Sequence, residues 1–348
     1  MKRATLKDVA CRAGVHAATA SRALNESSRH LVQADTLDRV LRAAAELGYT
    51  ANIAARTLRT ATSRAVGILV PDITNPIFPP MVRGAEEVLR SEGYSTWVVN
   101  TDDDSARNEE AVSAFRQRNV DGIILATARL HDPALDAALE QGSNTPYVFA
   151  NRRPARSGVP SVRADEAEGA RMVLDHLVAL GHRRIVLVAG PQDVSTGRAG
   201  KQAFVTYVRK HGLPVLGGQV TECGAFTFEA GREAMRDRLR EDTSFTAVVA
   251  GNDLMALGCL DSLAEAGLRC PEDVSVVGFN DMMLMDRITP ALTTVAIPYR
   301  EIGVEAARLL VAAMSCAPRR KSSVVLKPVL QVRESSAPPP KKASRQKR

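Results

Sequence analysis

Three patterns of apolar spacing follow one another along the chain. Between Thr5 and Asn25, TLKDVACRAGVHAATASRALN, the residues Leu6, Val9 and Ala10 recur at helical spacing. Thr5 stands where an N-cap would, with Asp8 three residues on in a capping-box position. Gly14 ends this helix, since glycine alone takes the left-handed conformation without steric cost. A second helix is predicted from about His16, turning Ala20, Ala23 and Leu24 inward and leaving Ala17, Ala18, Ser21 and Arg22 outward. A third, Ala34 to Leu47, places Leu37, Val40, Leu41, Ala44 and Leu47 on one face and stops at Gly48.

From Arg64 the period changes. Short β-rich runs recur as AVGILV (65–70), TWVVN (96–100), GIILA (122–126) and YVFA (147–150), with amphipathic stretches such as Met81 to Arg90 between them. A second set follows as IVLVAG (185–190), AVVAG (247–251) and VSVVGF (274–279). Continuous apolar strands alternating with helices predict parallel sheets covered on both faces. Two sets predict two doubly wound lobes, with a ligand at the carboxyl ends of the strands. The segments Leu292 to Ile297 and Val324 to Val332 are expected to cross back between the lobes.

Charge sharpens this division. Residues 1–64 carry eleven Lys/Arg against five Asp/Glu and residues 334–348 five against one, so 65–333 carry a net −3 within a total of +7. Positive charge at the two ends suits a small head that meets a phosphate backbone. At 348 residues and 45% apolar content the chain can bury two or three domains. No stretch reaches the length of a membrane span and the start MKRATLKDVA lacks a secretory apolar core, so a cytoplasmic protein, associated with the nucleoid, is expected. The five cysteines have no ligand or redox spacing, which predicts reduced, mostly buried thiols, no metal and no cofactor. The sequence contains no phosphate-binding loop, dinucleotide fingerprint or nucleophile elbow, and no enzymatic activity is expected.

The stretch Thr5 to Asn25 resembles the N-terminus of the lactose-repressor (LacI) family of bacterial transcription regulators, T-[IL]-x-D-V-A-x-x-A-G-V-S-x-x-T-V-S-R-x-L-N. His16 replaces the capping serine and Ala20 the usual valine. A weaker cap costs about 1 kcal/mol, which is expected to loosen the second helix. The resemblance extends from Thr5 to about Arg333. It implies an all-α helix-turn-helix head (1–48), a hinge helix (49–63) and an α/β body of two doubly wound parallel-sheet lobes like periplasmic binding proteins (64–333). A basic disordered tail (334–348) completes the organisation.

The same resemblance implies roles for particular residues. The second helix enters the DNA major groove. Arg22 is expected to read a guanine edge, Ala17 and Ala18 to offer methyl contacts, and Thr5, Thr19, Ser21 and Asn25 to touch phosphates. The segment Tyr49 to Arg59 is similar to the family hinge Y-x-P-N-x-x-A-R-S-L, with Ala51 in place of proline. Its leucine, Leu58, is the minor-groove wedge that opens a central base step.

For the effector cleft the resemblance nominates Asp72, Asn75 and Phe78 from the Pro71 to Phe78 loop, and Asn151, Asn252 and Asn280 at strand ends. Asp165 and Asp253 are expected to fix the backbone, and His182, in L-G-H-R-R-I, to be structural. The family usually carries aspartate at Asn151 and Asn280, so a less acidic cleft suited to an anionic ligand is expected. The family's ligand-holding arginine falls at Gly200; Arg198, two residues earlier, either takes over that role or leaves it unfilled. The implied function is a ligand-responsive, dimeric, sequence-specific DNA-binding regulator, most often a repressor of a palindromic operator, with a sugar, sugar acid or other small metabolite as effector. The alternative is a soluble periplasmic-type small-molecule binding protein, which the body alone would favour.

Overall fold

The computed structural model describes residues 4–49, 62–140, 145–156, 158–315 and 323–340. The chain divides into two compact units, 1–63 and 64–348. The hinge residues 50–61, Leu58 among them, lie outside the described residues.

In the first unit, α1 (Leu6–Ala13) opens on the expected capping box. The Thr5 hydroxyl accepts from the Asp8 amide, and the Thr5 amide donates to the Asp8 carboxylate at 2.8 Å. Gly14 leaves the helix at φ +65°. In α2 (Ala17–Leu24) the departure at position 16 is less costly than expected, because His16 Nδ1 accepts the Ala18 amide at 3.3 Å and does the serine's work. The far end of α2 is closed by a 3-10 turn, Glu26–Leu31, where Ser28 Oγ donates to the Arg22 carbonyl and Arg29 Nε to that of Ala23. With α3 (Ala34–Glu46) these helices enclose Val9, Ala10, Ala13, Ala20, Ala23, Val40, Ala43 and Ala44. Six of those eight are alanines, so the core is made by close backbone approach. Leu47, expected to face inward, is 37% exposed, since the chain turns away at Gly48.

The body runs β1 (Ala65–Val70), α4 (Phe78–Ser91), β2 (Ser95–Asn100), α5 (Ser105–Gln117), β3 (Gly122–Leu125), α6 (Pro133–Glu140), β4 (Tyr147–Ala150) and β5 (Ser161–Ala164). It continues with α7 (Glu166–Ala179), β6 (Ile185–Ala189), α8 (Ser195–Lys210), β7 (Val220–Glu222), α9 (Phe228–Glu241), β8 (Ala247–Ala250), α10 (Asp253–Glu265) and β9 (Ser275–Asn280). The last elements are β10 (Thr293–Ala296), α11 (Tyr299–Met314), β11 (Ser323–Leu326) and β12 (Val329–Gln331). All seven expected strands fall within one residue of their sequence bounds.

Two six-stranded sheets result, β11-β5-β4-β3-β1-β2 and β12-β10-β9-β8-β6-β7. Every pairing is parallel except β12 against β10. The chain passes between the lobes after β5, after β10 and between β11 and β12, as the two C-terminal segments suggested. At the middle crossing α11 lies across α4 with glycines facing backbone: a methyl on Gly84 would collide with the Arg300 carbonyl, and one on Gly303 with that of Met81. The expectation that all strands are doubly covered fails at the edge strand β2, where Trp97 and Val98 are 40% and 43% exposed.

The expected disorder from residue 334 does not hold for its first half. Ser335 is fully buried; its hydroxyl donates to the Val276 carbonyl at 2.6 Å and accepts the Thr293 amide at 2.8 Å. His182 Nδ1 meets Thr246 Oγ1 and Nε2 meets the Ala337 carbonyl, both at 2.8 Å. The tail thus completes the hydrogen bonding of β9, β10 and the buried His182, which composition does not reveal. Residues 341–348 lie outside the described residues.

Candidate functional site

On α2 the exposed positions are Ala18 and Arg22, one helical turn apart. Ala17, expected to face outward, is half-buried against the helical core, as are Thr19, Ser21 and Asn25 in part. The Thr5 hydroxyl also donates to Asp8 Oδ2 at 2.7 Å, so it is engaged within its own capping box. The surface that α2 offers is therefore one guanidinium beside small side chains.

In the body, the carboxyl ends of the strands of both lobes surround a cavity of about 840 Å³, part of it open to solvent. The sequence nominees Asn75, Phe78, Asn151, Asn252 and Asn280 all line it. Asn151 leaves its strand at φ +64°, in the left-handed region that asparagine enters more readily than most residues, and Asn280 ends its strand at φ +123°, a conformation few non-glycine residues adopt. Asn252 is committed to the scaffold: its carbonyl oxygen caps α10 through the Met255 amide at 2.8 Å, and its amide donates to the Phe226 carbonyl at 3.1 Å. Asn280 Oδ1 accepts the Tyr299 hydroxyl at 2.7 Å.

Two nominees lie elsewhere. Asp72 is exposed and folds its loop by accepting the amide and hydroxyl of Thr74 at 2.8 and 2.6 Å. Arg198 is exposed on the outer face of α8 and donates to the Gln192 carbonyl at 3.1 Å. Gly200, the residue at the family arginine's position, does line the cavity. A Cβ at Gly200 would meet nothing within 4 Å, so open space stands at that position.

Several wall residues escaped the sequence reading. Arg152 is buried and pairs with Asp103 at 2.7 Å, so its charge is already met. Glu166 is 8% exposed, and burial, opposed by its own backbone hydrogen bond and Arg163, pushes its carboxyl up to about 7. Phe204, Phe226, Phe279 and Tyr299 complete the wall. The expected anionic preference finds no support in this arrangement, because the wall presents a carboxyl whose ion pair, with Arg163 at 3.5 Å, is long, and its one guanidinium, Arg152, is already paired with Asp103. The signal for Glu166 was faint: an acidic residue just after β5, a strand without a recognisable apolar run.

Asp253 and Asp165 behave as scaffold. Asp253, fully buried, accepts the Met282 amide at 2.7 Å and the Thr294 hydroxyl at 2.5 Å, and burial lifts its carboxyl to about 6 against those bonds. Asp165 caps α7 through the Glu168 amide at 3.1 Å. The two lobes are also joined by the Arg129–Asp193 ion pair, with the Leu130 amide on the Asp193 carbonyl at 2.7 Å.

A helix-turn-helix head whose second helix exposes one arginine, joined to a two-lobed body with a cavity at its strand ends, defines a DNA-binding regulator that carries its own ligand-binding domain. Residues 5–52 match the description "Bacterial regulatory proteins, lacI family", and residues 174–336 "Periplasmic binding protein-like domain". The chain is 35% identical over 308 residues to the HTH-type transcriptional repressor CytR of Escherichia coli (strain K12), covering 88% of this chain and 89% of the relative. It is 33% identical over 321 residues to the ribose operon repressor of Bacillus subtilis (strain 168), covering 92% and 95%. Among solved structures, the lac repressor dimer bound to operator and the anti-inducer ONPF superposes with a TM-score of 0.87 at 28% identity, over 97% of this chain and all of that one. The regulator CelR in complex with cellobiose gives 0.74 at 32% identity, over 96% of this chain and 100% of that one. The chain belongs to the LacI family of bacterial transcription regulators. A stand-alone binding protein, the alternative that the body suggested, does not account for the head.

Proposed function

We propose that this protein represses transcription as a homodimer, holding a near-palindromic operator with its two heads and releasing it when a small polar metabolite enters the body's cleft. The observation that carries this reading is the pairing, in one chain, of an exposed Arg22 on a recognition helix with a cavity walled by both lobes. A C2 dimer presents α2 to two successive major grooves. Arg22 reads a guanine, Ala17 and Ala18 give methyl contacts, and Thr19, Ser21 and Asn25, with Thr5, position the backbone. Leu58 acts as the minor-groove wedge. Such a protein works in the cytosol, where its DNA target is.

Dimerisation is supported by the lac repressor neighbour, which is a dimer, and by apolar residues that the body leaves uncovered: Trp97 and Val98 on the edge strand, and Met283 and Leu284 after β9, 80% and 59% exposed. A second copy covering them adds apolar burial to association. In the cleft, Asn75, Asn151 and Asn280 supply directed hydrogen bonds among aromatic side chains, the usual make-up of a small-molecule site. Ligand in contact with both lobes stabilises one lobe arrangement over another, and differential affinity of that kind couples two sites by about 1–3 kcal/mol.

The deciding experiment is operator binding by the full chain, followed by fluorescence anisotropy while candidate metabolites are titrated. A metabolite that raises the melting temperature is expected to shift operator affinity by about tenfold or more. A ligand that fills the cleft and leaves operator affinity unchanged would contradict the coupling.

A further inference from the structure

The charged groups in the cleft wall are not balanced. Arg152 is held by Asp103 at 2.7 Å. Glu166 has Arg163 as its ion-pair partner, at 3.5 Å, longer than a good N–H···O bond, and that same Arg163 Nη1 donates to the Ala164 carbonyl at 3.0 Å. Arg163 is not among the residues that line the cavity, whereas Glu166 is. Nor is Glu166 needed to cap α7, because Asp165 already accepts the Glu168 amide there. A buried carboxyl without a close hydrogen-bonded counter-charge is costly, and a group facing a cavity can be satisfied by what enters it.

The rest of the wall narrows the choice of occupant. Four of the chain's eight phenylalanines, Phe78, Phe204, Phe226 and Phe279, line this one cavity together with Tyr299. Aromatic faces stack on flat or ring-shaped ligands and attract cations, more strongly where water is excluded. The open space at Gly200 removes the guanidinium that would favour an anion. Carboxylate and aromatic faces together therefore complement a positive charge on a ring.

We propose that the cleft recognises a cyclic ligand bearing a cationic amine, with the Glu166 carboxylate as its anchor. This rests on the reading of the cleft as the effector site and names the chemical class that site selects. A protonated amine donates charge-assisted hydrogen bonds to Glu166, and its ring packs against the phenylalanines. The charged groups that act on Glu166 are Arg163 and Arg153, which favour its ionised form, and Asp165, which opposes it; Glu166 in turn acts on Tyr299, which also lines the cavity and is itself subject to Asp253 and Arg152. Burial holds its carboxyl at about 7, so a cation brought beside it favours the ionised form.

The test uses the full chain and matched probe pairs: polyhydroxylated piperidines and amino sugars, each against the pyranose that carries oxygen in place of the amine. The expected result is that amines raise the melting temperature and bind at least tenfold more tightly than their oxygen counterparts, and that Glu166→Gln brings the two within about twofold of each other. Should the variant fold poorly, the wild-type protein supplies the check: affinity for an amine that stays protonated from pH 6 to 8 rises across that range, while affinity for the oxygen analogue does not. Equal binding of amine and oxygen partners overturns the assignment but leaves the effector site standing. So does binding confined to oxygen sugars or to anions. If no amine stabilises the protein, the assignment also falls, and the effector reading is then judged separately by operator release with other metabolites.

Discussion

On the proposed reading, recognition turns on two side chains, Arg22 and Glu166, and each was legible to a different degree. Arg22 could be placed from sequence because a helix of period 3.6 with alanines at 20 and 23 on its inner face leaves position 22 outside. Its neighbours are small, so direct hydrogen-bond readout by α2 falls on it. Arg22→Ala is expected to cost about 1–3 kcal/mol of discrimination at one base pair, read by comparing operators substituted at each position; an unchanged preference would remove Arg22 from base reading.

Glu166 came from the fold, since nothing in its local sequence says that its side chain is buried in the wall of the cavity. Its folded value of about 7 lies above the ordinary 4.5. A raised carboxyl contributes no penalty below pH 4.5, and stability is lost as pH rises through 7. Glu166→Gln should therefore match the wild type near pH 4 and exceed it by up to about 3 kcal/mol at pH 8, measured by denaturant unfolding without ligand. His182, whose pKa burial lowers, acts in the opposite direction, so the difference between variant and wild type is the quantity to follow.

Among elements, the seven apolar strands and the three head helices were visible in sequence to within a residue, whereas the stretch Met81 to Arg90 belongs to a helix that starts at Phe78, and β5, β7 and the latch at 334–340 were not visible. β5 (SVRA) and β7 (VTE) are three or four residues long and are strands because a neighbour offers its edge. The latch reads as disordered by composition, yet Ser335 to Ala337 meet donors and acceptors that β9, β10 and His182 would otherwise leave buried and unpaired. A chain ending at Arg333 is expected to lose about 2–4 kcal/mol, a fall of several degrees in melting temperature, whereas one ending at Pro340 should melt like the full chain. Equal melting of all three would show that the latch is not structural.

At the scale of the whole molecule, the proposed function depends on two copies and two sites acting together. Trp97→Asp places a charge on the uncovered edge strand, and the expected result is a shift toward monomer in sedimentation with a steep loss of operator affinity, because the two heads are no longer linked. Leu58→Ala is expected to weaken operator binding much more than binding to random DNA, since a wedge acts where a base step can open. Equal losses on both would argue for a simple linker.

The sequence by itself determined the helix-turn-helix, the alternation that makes two parallel-sheet lobes, the crossing segments and the asparagines at the strand ends. These rest on local rules: periodicity, capping and the left-handed turn at Gly14. Tertiary structure alone decided which polar groups face the cavity. It turned Arg198 and Asp72 outward, buried Glu166 beside a ring of phenylalanines and fastened Ser335 into the second lobe, because orientation and burial are set by elements far apart in the chain.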